Sequence, residues 1–357
     1  MTTWLGAVKS QAGSEAIEAR PRNPRFDVSS VMRLTELADI VVPFAIRVAC
    51  ELRIADELAE GPRTVEEIAR SVGADPRALL RLLRALTARG VFTEVEPGLF
   101  GHTALSEPLR DDHPLSMREA YPLIPADIQA WSRFDVSVRT GGSAFEYVHG
   151  QGYWEHMAER PEEAHRFDGT QRAATRLELR TILPAYDGWA TIGSLVDAGG
   201  GNGAFLAGVL RRFRDTHGTL LDLPHVVAGA DEVLRAEGVR DRCTVVGGSF
   251  FDEIPPGADA YLLKRVLYHW DDDQACTLLG NLRSAMRPDS RLLLLEPVAE
   301  PGDELNAGKL YDLILLTMAG GGLRSLQEIE ALLDKTGLRL SRVVRTMMFP
   351  MMEIVPR

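Results

Sequence analysis

The stretch "VDAGGGNGAF", residues 196–205, constrains the fold of this 357-residue chain more than any other. It follows a short apolar run and opens a helical pattern. Glycines at 199, 201 and 203 permit a tight turn and let a ligand approach the backbone closely. The helix that follows offers free N–H groups to a carboxylate or phosphate. Around it, apolar runs alternate with helical patterns: "SLVDAG", "TLLDLP", "CTVVGGSF", "AYLLKRVL" and "RLLLLEPV". That alternation predicts an α/β fold with a doubly wound, Rossmann-like sheet. The closing segments "LRLSRVVRT" and "MMEIVPR" can add an antiparallel hairpin, which makes the sheet mixed.

Asp222 ends the second run, where a carboxylate can accept both hydroxyls of a ribose. Two enzyme classes fit these features. Gly199, Gly201 and Ala204 satisfy the dinucleotide pattern of a nicotinamide oxidoreductase. The same glycines with Asp222 suit a methyltransferase that uses S-adenosylmethionine.

The N-terminal part has a different texture. Residues 1–27 carry a Pro/Arg cluster and little periodicity, and are expected to form a flexible arm. Apolar residues from Val31 to Val42 repeat at three and four, and Pro43 is expected to break or kink that helix. Thr64 with Glu67 makes a capping box, and Asp75 with Pro76 starts a second helix. Gly90 ends it, and "VFTEV" and "LFGHT" then form a hairpin. The mostly helical region 28–112 thus reads as a winged helix.

Such modules often bind DNA, and residues 62–91 hold six arginines against three acids. The whole chain, however, carries a formal net charge of −11, which disfavours a nucleic-acid partner. The dimerisation reading is therefore preferred. The three cysteines lack paired spacing, no apolar run spans a membrane, and residues 1–10 lack a secretory pattern. The expectation is a cytoplasmic protein with no membrane partner. Residues 113–190 are helical and aromatic-rich, and are assigned to a linker and acceptor pocket, leaving 191–357 for cofactor binding and catalysis.

The stretch "LLKRVLYHWDDD", residues 262–273, reads as the mouth of the site. Its aspartates 271–273 are expected to cap the following helix. No metal site is expected.

"LVDAGGGNG", "LLDLPHV", "GSFFDEIP", "LLKRVLYHWDDDQA", "LLLLEPV" and "GGGLRSLQEIEALLDKTGL" occur in an order that resembles S-adenosylmethionine-dependent O-methyltransferases. These include plant phenylpropanoid enzymes and bacterial enzymes of antibiotic biosynthesis. The resemblance covers nearly all of residues 30–357. It implies a homodimer joined through the winged-helix region and metal-independent transfer to a hydroxyl of a small aromatic acceptor. The product cofactor would be S-adenosylhomocysteine. It implies cofactor contacts from Asp197, Gly199, Gly201, Asp222, Leu223, Ser249, Phe250, Lys264 and Arg265. Acceptor contacts are implied for Trp131, Phe167, Gln171, Asp312 and Met318.

The family's catalytic triplet is His-Asp-Trp, and here Tyr268, His269 and Trp270 stand in its place. The base position thus holds Tyr268, with His269 shifted by one. Glu296 matches one of two acids that support the family's base, and Leu323 replaces the other. For the proton, three readings compete: His269 acts as base with Glu296, which is preferred; Tyr268 only orients the acceptor and water or an ortho carboxylate of the substrate takes the proton; or His269 is a surface residue beside a helix start. For the function as a whole, a relative that turned to hydroxylation or decarboxylation is the second reading, and a ligand-responsive winged-helix regulator the third.

Overall fold

A computed structural model describes residues 27–304 and 306–357. The expected arm, 1–27, lies outside them except for Asp27, whose carboxylate caps helix α1 (Val28–Leu37). A first compact unit ends at Pro43 and a second runs from Phe44 to Arg357. In the first, Val31, Leu34 and Leu37 on α1 are exposed. Pro43 does not break the next helix. It lies in the first turn of α2 (Val41–Glu51), where a missing N–H costs nothing. The break falls before it, where Asp39 accepts from the N–H groups of Val41 and Val42.

In the second unit, α3 (Ile54–Glu57) and β1 (Arg63–Thr64) precede α4 (Val65–Val72) and α5 (Pro76–Thr87). The Thr64–Glu67 capping box and the Asp75 cap both form. β2 (Phe92–Glu96) and β3 (Leu99–His102) pair antiparallel, and β1 adds to β3 to complete the wing. One apolar cluster from Ala45 to Leu109 holds this module together.

Five helices follow: α6 (Pro125–Trp131), α7 (Phe134–Thr140), α8 (Ala144–His149), α9 (Tyr153–Glu159) and the long α10 (Pro161–Ile182). A glycine pair in "RTGGSAF" separates α7 from α8: Gly141 caps α7 in the left-handed region and Ser143 caps α8.

The sheet comprises β4 (Ser194–Ala198), β5 (His217–Asp222), β6 (Cys243–Gly247), β7 (Ala260–Lys264), β8 (Arg291–Leu295), β9 (Leu338–Val344) and β10 (Met351–Pro356). Its order is β6-β5-β4-β7-β8-β10-β9, parallel from β6 to β8 and antiparallel at the closing hairpin. Its central strands β4, β7 and β8 are almost wholly buried because helices cover both faces. One core takes α11 (Ala204–Arg212) and α12 (Ala230–Ala236). The other takes α13 (Asp272–Ala285) and α15 (Leu326–Lys335), while α14 (Ala307–Met318) precedes α15 in the chain. The first core already includes Ile182, Tyr186 and Trp189, so the sheet domain recruits residues upstream of the expected boundary at 191.

The chain winds from β4 toward β6, then returns to place β7 on the other side of β4. That reversal opens a crevice beyond the carboxyl ends of β4 and β7. The loops after these two strands carry "GGGNG" and "RVLYHW".

Candidate active site

Gly199, Gly201 and Gly203 all adopt positive φ, at 76°, 63° and 80°. The first and third are also crowded. A Cβ on Gly199 would lie 2.8 Å from Val266, and one on Gly203 would lie 2.9 Å from Leu220. A Cβ on Gly201 would meet nothing within 4 Å, because it would project into open space. Asp222 closes the loop: its Oδ2 accepts from the Gly201 N–H at 2.8 Å and its Oδ1 from the Leu223 N–H at 2.7 Å. Each oxygen keeps acceptor capacity for a ligand.

A cleft of about 570 Å³ runs from this loop to the helices of residues 153–175 and to α14. On α10 the residues Phe167, Gln171 and Thr175 recur every four positions and share one face. On α14 the lining residues Tyr311, Ile314, Leu315 and Met318 follow the same helical spacing. Tyr153 and Trp154 complete an aromatic wall, in edge-on contact with Phe167 at 5.9 and 5.5 Å.

The turn after β7 supplies the polar floor. Arg265 is left-handed (φ 59°), a conformation uncommon outside glycine and often found where function over-determines the backbone. Lys264 Nζ donates to Glu178 at 2.8 Å, and Arg265 Nη1 donates to the same carboxylate at 3.3 Å. Burial opposes the charge on Glu178, but Lys264 and Arg265 outweigh it and hold the carboxyl below its ordinary range. Arg265 also donates from Nε to the Tyr268 hydroxyl at 3.3 Å and from Nη2 to the Tyr311 hydroxyl at 2.7 Å. The two hydroxyls are 3.0 Å apart. Burial pushes the Tyr268 hydroxyl well above the ordinary tyrosine range.

His269 lines the cleft next to them, packed against Trp154 and Tyr268. The residue is exposed at the rim of the cleft, while those two aromatic rings enclose one side of its imidazole. That enclosure and the charge of Arg265 pull its pKa down to about 4.

Of the anticipated contacts, the cleft brings together Gly199, Gly201, Lys264, Arg265, Phe167, Gln171, Met318, Tyr268 and His269. Others lie elsewhere. Glu296 does not support His269: its Oε1 accepts from the backbone N–H groups of Leu267 and Tyr268, so it braces the turn instead. Asp312 accepts from the Leu323 N–H at 2.6 Å and pins the loop after α14. Trp131 is 39% exposed and packs on Phe134, away from the cleft lining. Asp197 is fully buried below the glycine loop, with neither carboxylate oxygen partnered. Burial pushes its pKa up to about 7. Ser249 accepts from the Phe251 N–H, Phe250 packs beside Gly199, and Leu223 is exposed at the end of β5. Asp271 caps α13 as expected, and Asp272 pairs with Arg324.

Glu178, which no sequence motif marks, also belongs to the site, as do Tyr311 on α14 and Tyr153 and Trp154 of the aromatic-rich region. Alternating charges in "RLELRT" hide Glu178, whose partners lie 86 and 87 residues away. The spacing of Tyr311 with Met318 was a usable signal.

Comparison with known proteins decides the class. Residues 131–339 match the O-methyltransferase domain, and residues 35–111 match the O-methyltransferase dimerisation domain. The chain belongs to the O-methyltransferase family. The mitomycin biosynthesis 6-O-methyltransferase of Streptomyces lavendulae is 39% identical, over 84% of this chain and 86% of that one. The phenazine O-methyltransferase of Lysobacter antibioticus is 38% identical, over 85% and 89%. Among solved structures, an O-methyltransferase from neocarzinostatin biosynthesis aligns with a TM-score of 0.74 at 36% identity, covering 91% of this chain and 98% of that one. It was solved with S-adenosylmethionine and 2-hydroxy-5-methyl naphthoic acid.

This O-methyltransferase uses S-adenosylmethionine, and its residues fit that group. The open position above Gly201 and the spare acceptor capacity of Asp222 provide a loop for close approach and a carboxylate for a ribose. Among the described residues, no helix is long and apolar enough to cross a membrane.

Glu296 offers a separate test. Burial raises its pKa to about 8, against an ordinary 4.5. An acid raised on folding favours the folded state at low pH and loses that contribution as pH climbs through the folded value. The wild-type Tm should therefore fall between these two pH values, and Glu296→Gln should flatten that slope. Calorimetric scans of both proteins across the range check it. Methylation by the variant should persist, because an amide oxygen can still accept from both backbone N–H groups.

Proposed function

We propose that this enzyme methylates a phenolic hydroxyl of an aromatic polyketide or related flat secondary metabolite. The observation that carries this is the wall of Tyr153, Trp154 and Phe167 facing the glycine loop across one cleft. Such a wall takes a flat ring by its faces and edges. The relatives support it, since they act on mitomycin, phenazine and naphthoate frameworks. S-adenosylmethionine, when bound, supplies a methyl group on a positively charged sulfur.

The chain's own contribution is alignment. Gly199, Gly201 and Asp222 hold the donor, while α10 and α14 hold the ring. Alignment alone can be worth about 7–11 kcal/mol of the barrier. His269 is a wall residue in this scheme. A phenol with pKa near ~10 faces a histidine at about 4. Proton transfer to that ring runs against the order of the two pKa values. A true general base contributes roughly 10²–10⁴-fold. His269→Ala should therefore lower kcat by less than about 10-fold. Steady-state kinetics would show it, and a loss above about 100-fold would restore His269 as the base.

Residues 28–112 serve as the dimer module, 113–190 as the acceptor wall and 191–357 as the donor domain. Exposed Val31, Leu34 and Leu37 on α1 suit cover by a second copy. The unpaired thiols Cys50, Cys243 and Cys276 suit a cytoplasmic location. The decisive experiment is mass spectrometry of hydroxynaphthoic acids, hydroxynaphthoquinones and hydroxyphenazines incubated with S-adenosylmethionine. A single methyl mass gain on one of them supports the assignment, and none on any of them overturns it.

A further inference from the structure

The pair Tyr268 and Tyr311 has one more proton than the protein can use. Arginine only donates, so both hydroxyls accept from Arg265. Each hydroxyl brings one proton of its own. A single proton can bridge the 3.0 Å between the two oxygens. Whichever hydroxyl donates across that gap, the other keeps an O–H without a protein acceptor among the described residues. Both residues line the cleft, so what the cleft holds is the acceptor left for that O–H. The charge behind the pair is positive, because Glu178 offsets only one of Lys264 and Arg265.

Building on the function proposed above, we infer that the spare tyrosine O–H, backed by Arg265, receives the acceptor as a phenolate. The substrate class is then narrower: phenols acidified by an adjacent carbonyl, quinone or halogen, which ionise in solution before they bind. The proton leaves to solvent at that earlier step. In the transfer, a lone pair of the phenolate oxygen forms the new O–CH3 bond. The C–S bond breaks and its pair stays on sulfur, leaving a neutral thioether. No enzyme base is required. Tyr268 stands where the resemblance implies a base, and it serves here as half of a donor pair.

The test uses the full chain with 1-naphthol and its 4-chloro, 4-cyano and 4-nitro derivatives, whose hydroxyls grow steadily more acidic. At neutral pH, kcat/KM should rise along the series. The pH midpoint of kcat/KM should track each acceptor's own pKa. An enzymic base would fix one midpoint for all four, and that result overturns the inference.

Variants supply the second arm. Tyr268→Phe and Tyr311→Phe each leave one hydroxyl with its proton free, so each should cost less than about 5-fold in kcat/KM. The double variant has no spare proton. It should lose about 10- to 100-fold beyond the product of the two single losses. Losses that simply multiply overturn the pair. Calorimetric affinity for S-adenosylhomocysteine should stay within about 3-fold throughout, which also shows that the variants fold. A marked fall in that affinity would give the spare O–H to the methyl donor and overturn its role toward the acceptor. If the wild type methylates neither these naphthols nor any of the hydroxynaphthoic acids, hydroxynaphthoquinones and hydroxyphenazines, the phenol reading itself fails. If it methylates the naphthols with a fixed midpoint, only the present inference fails.

Discussion

Gly201→Leu should abolish cofactor binding while leaving the fold nearly intact. Gly201 adopts φ 63°, and a Cβ there would meet no protein atom within 4 Å. The direct cost of the substitution is the left-handed backbone, about 1–2 kcal/mol. The new side chain would project into the loop that Asp222 closes, where the donor must approach the backbone. Titration calorimetry should show affinity for S-adenosylhomocysteine reduced by more than about 100-fold, roughly 2.7 kcal/mol. The drop in Tm should be only a few degrees. Gly203→Ala is the contrasting control. Its Cβ would press on Leu220 at 2.9 Å, inside the core, so it should lose stability first. If Gly201→Leu binds the ligand normally, the cofactor does not lie over this loop.

That contrast also shows what the chain reveals before it folds. The glycine turn, Asp222 and the β strands were legible because each rests on a local signal: a period, a turn residue or a short apolar run. The capping box at Thr64 and the caps at Asp75 and Asp271 were legible for the same reason. Pro43 was misread because a proline looks alike at a helix interior and in a first turn, and Asp39 decides between them through its bonds to Val41 and Val42. Glu296 was assigned to catalysis and Asp312 to acceptor binding, yet both spend their carboxylates on backbone N–H groups. Whether an acid faces a cleft or a turn depends on how the chain closes around it, and a linear motif carries no record of that. Glu178 is the extreme case. Nothing local distinguishes it from neighbouring charges, and only the docking of α10 on the end of β7 gives it two cationic partners.

Glu178→Ala should be the single change at the site that costs the most stability. Glu178 has no exposed surface, and it accepts from both Lys264 and Arg265. Removing it leaves two enclosed cations facing each other across the space of a lost side chain. Breaking a buried ion pair from one side typically costs about 3–5 kcal/mol. Part of that would be recovered, because Lys264 and Arg265 keep 15% and 12% of their side-chain surface and can draw in water. Denaturant unfolding should therefore show a loss of about 3 kcal/mol. The catalytic loss should exceed what the stability loss explains, because Arg265 is the group that holds Tyr268 and Tyr311 together. Freed from Glu178, its guanidinium can swing away and separate the two hydroxyls. Glu178→Gln keeps an acceptor for one cation and should fall between wild type and alanine in both measurements. If the glutamine variant unfolds like the alanine one but methylates like wild type, Glu178 acts on stability alone. If the two losses instead move together through both variants, α10 is what aligns the acceptor, because its one buried carboxylate ties the aromatic wall to the turn beyond β7.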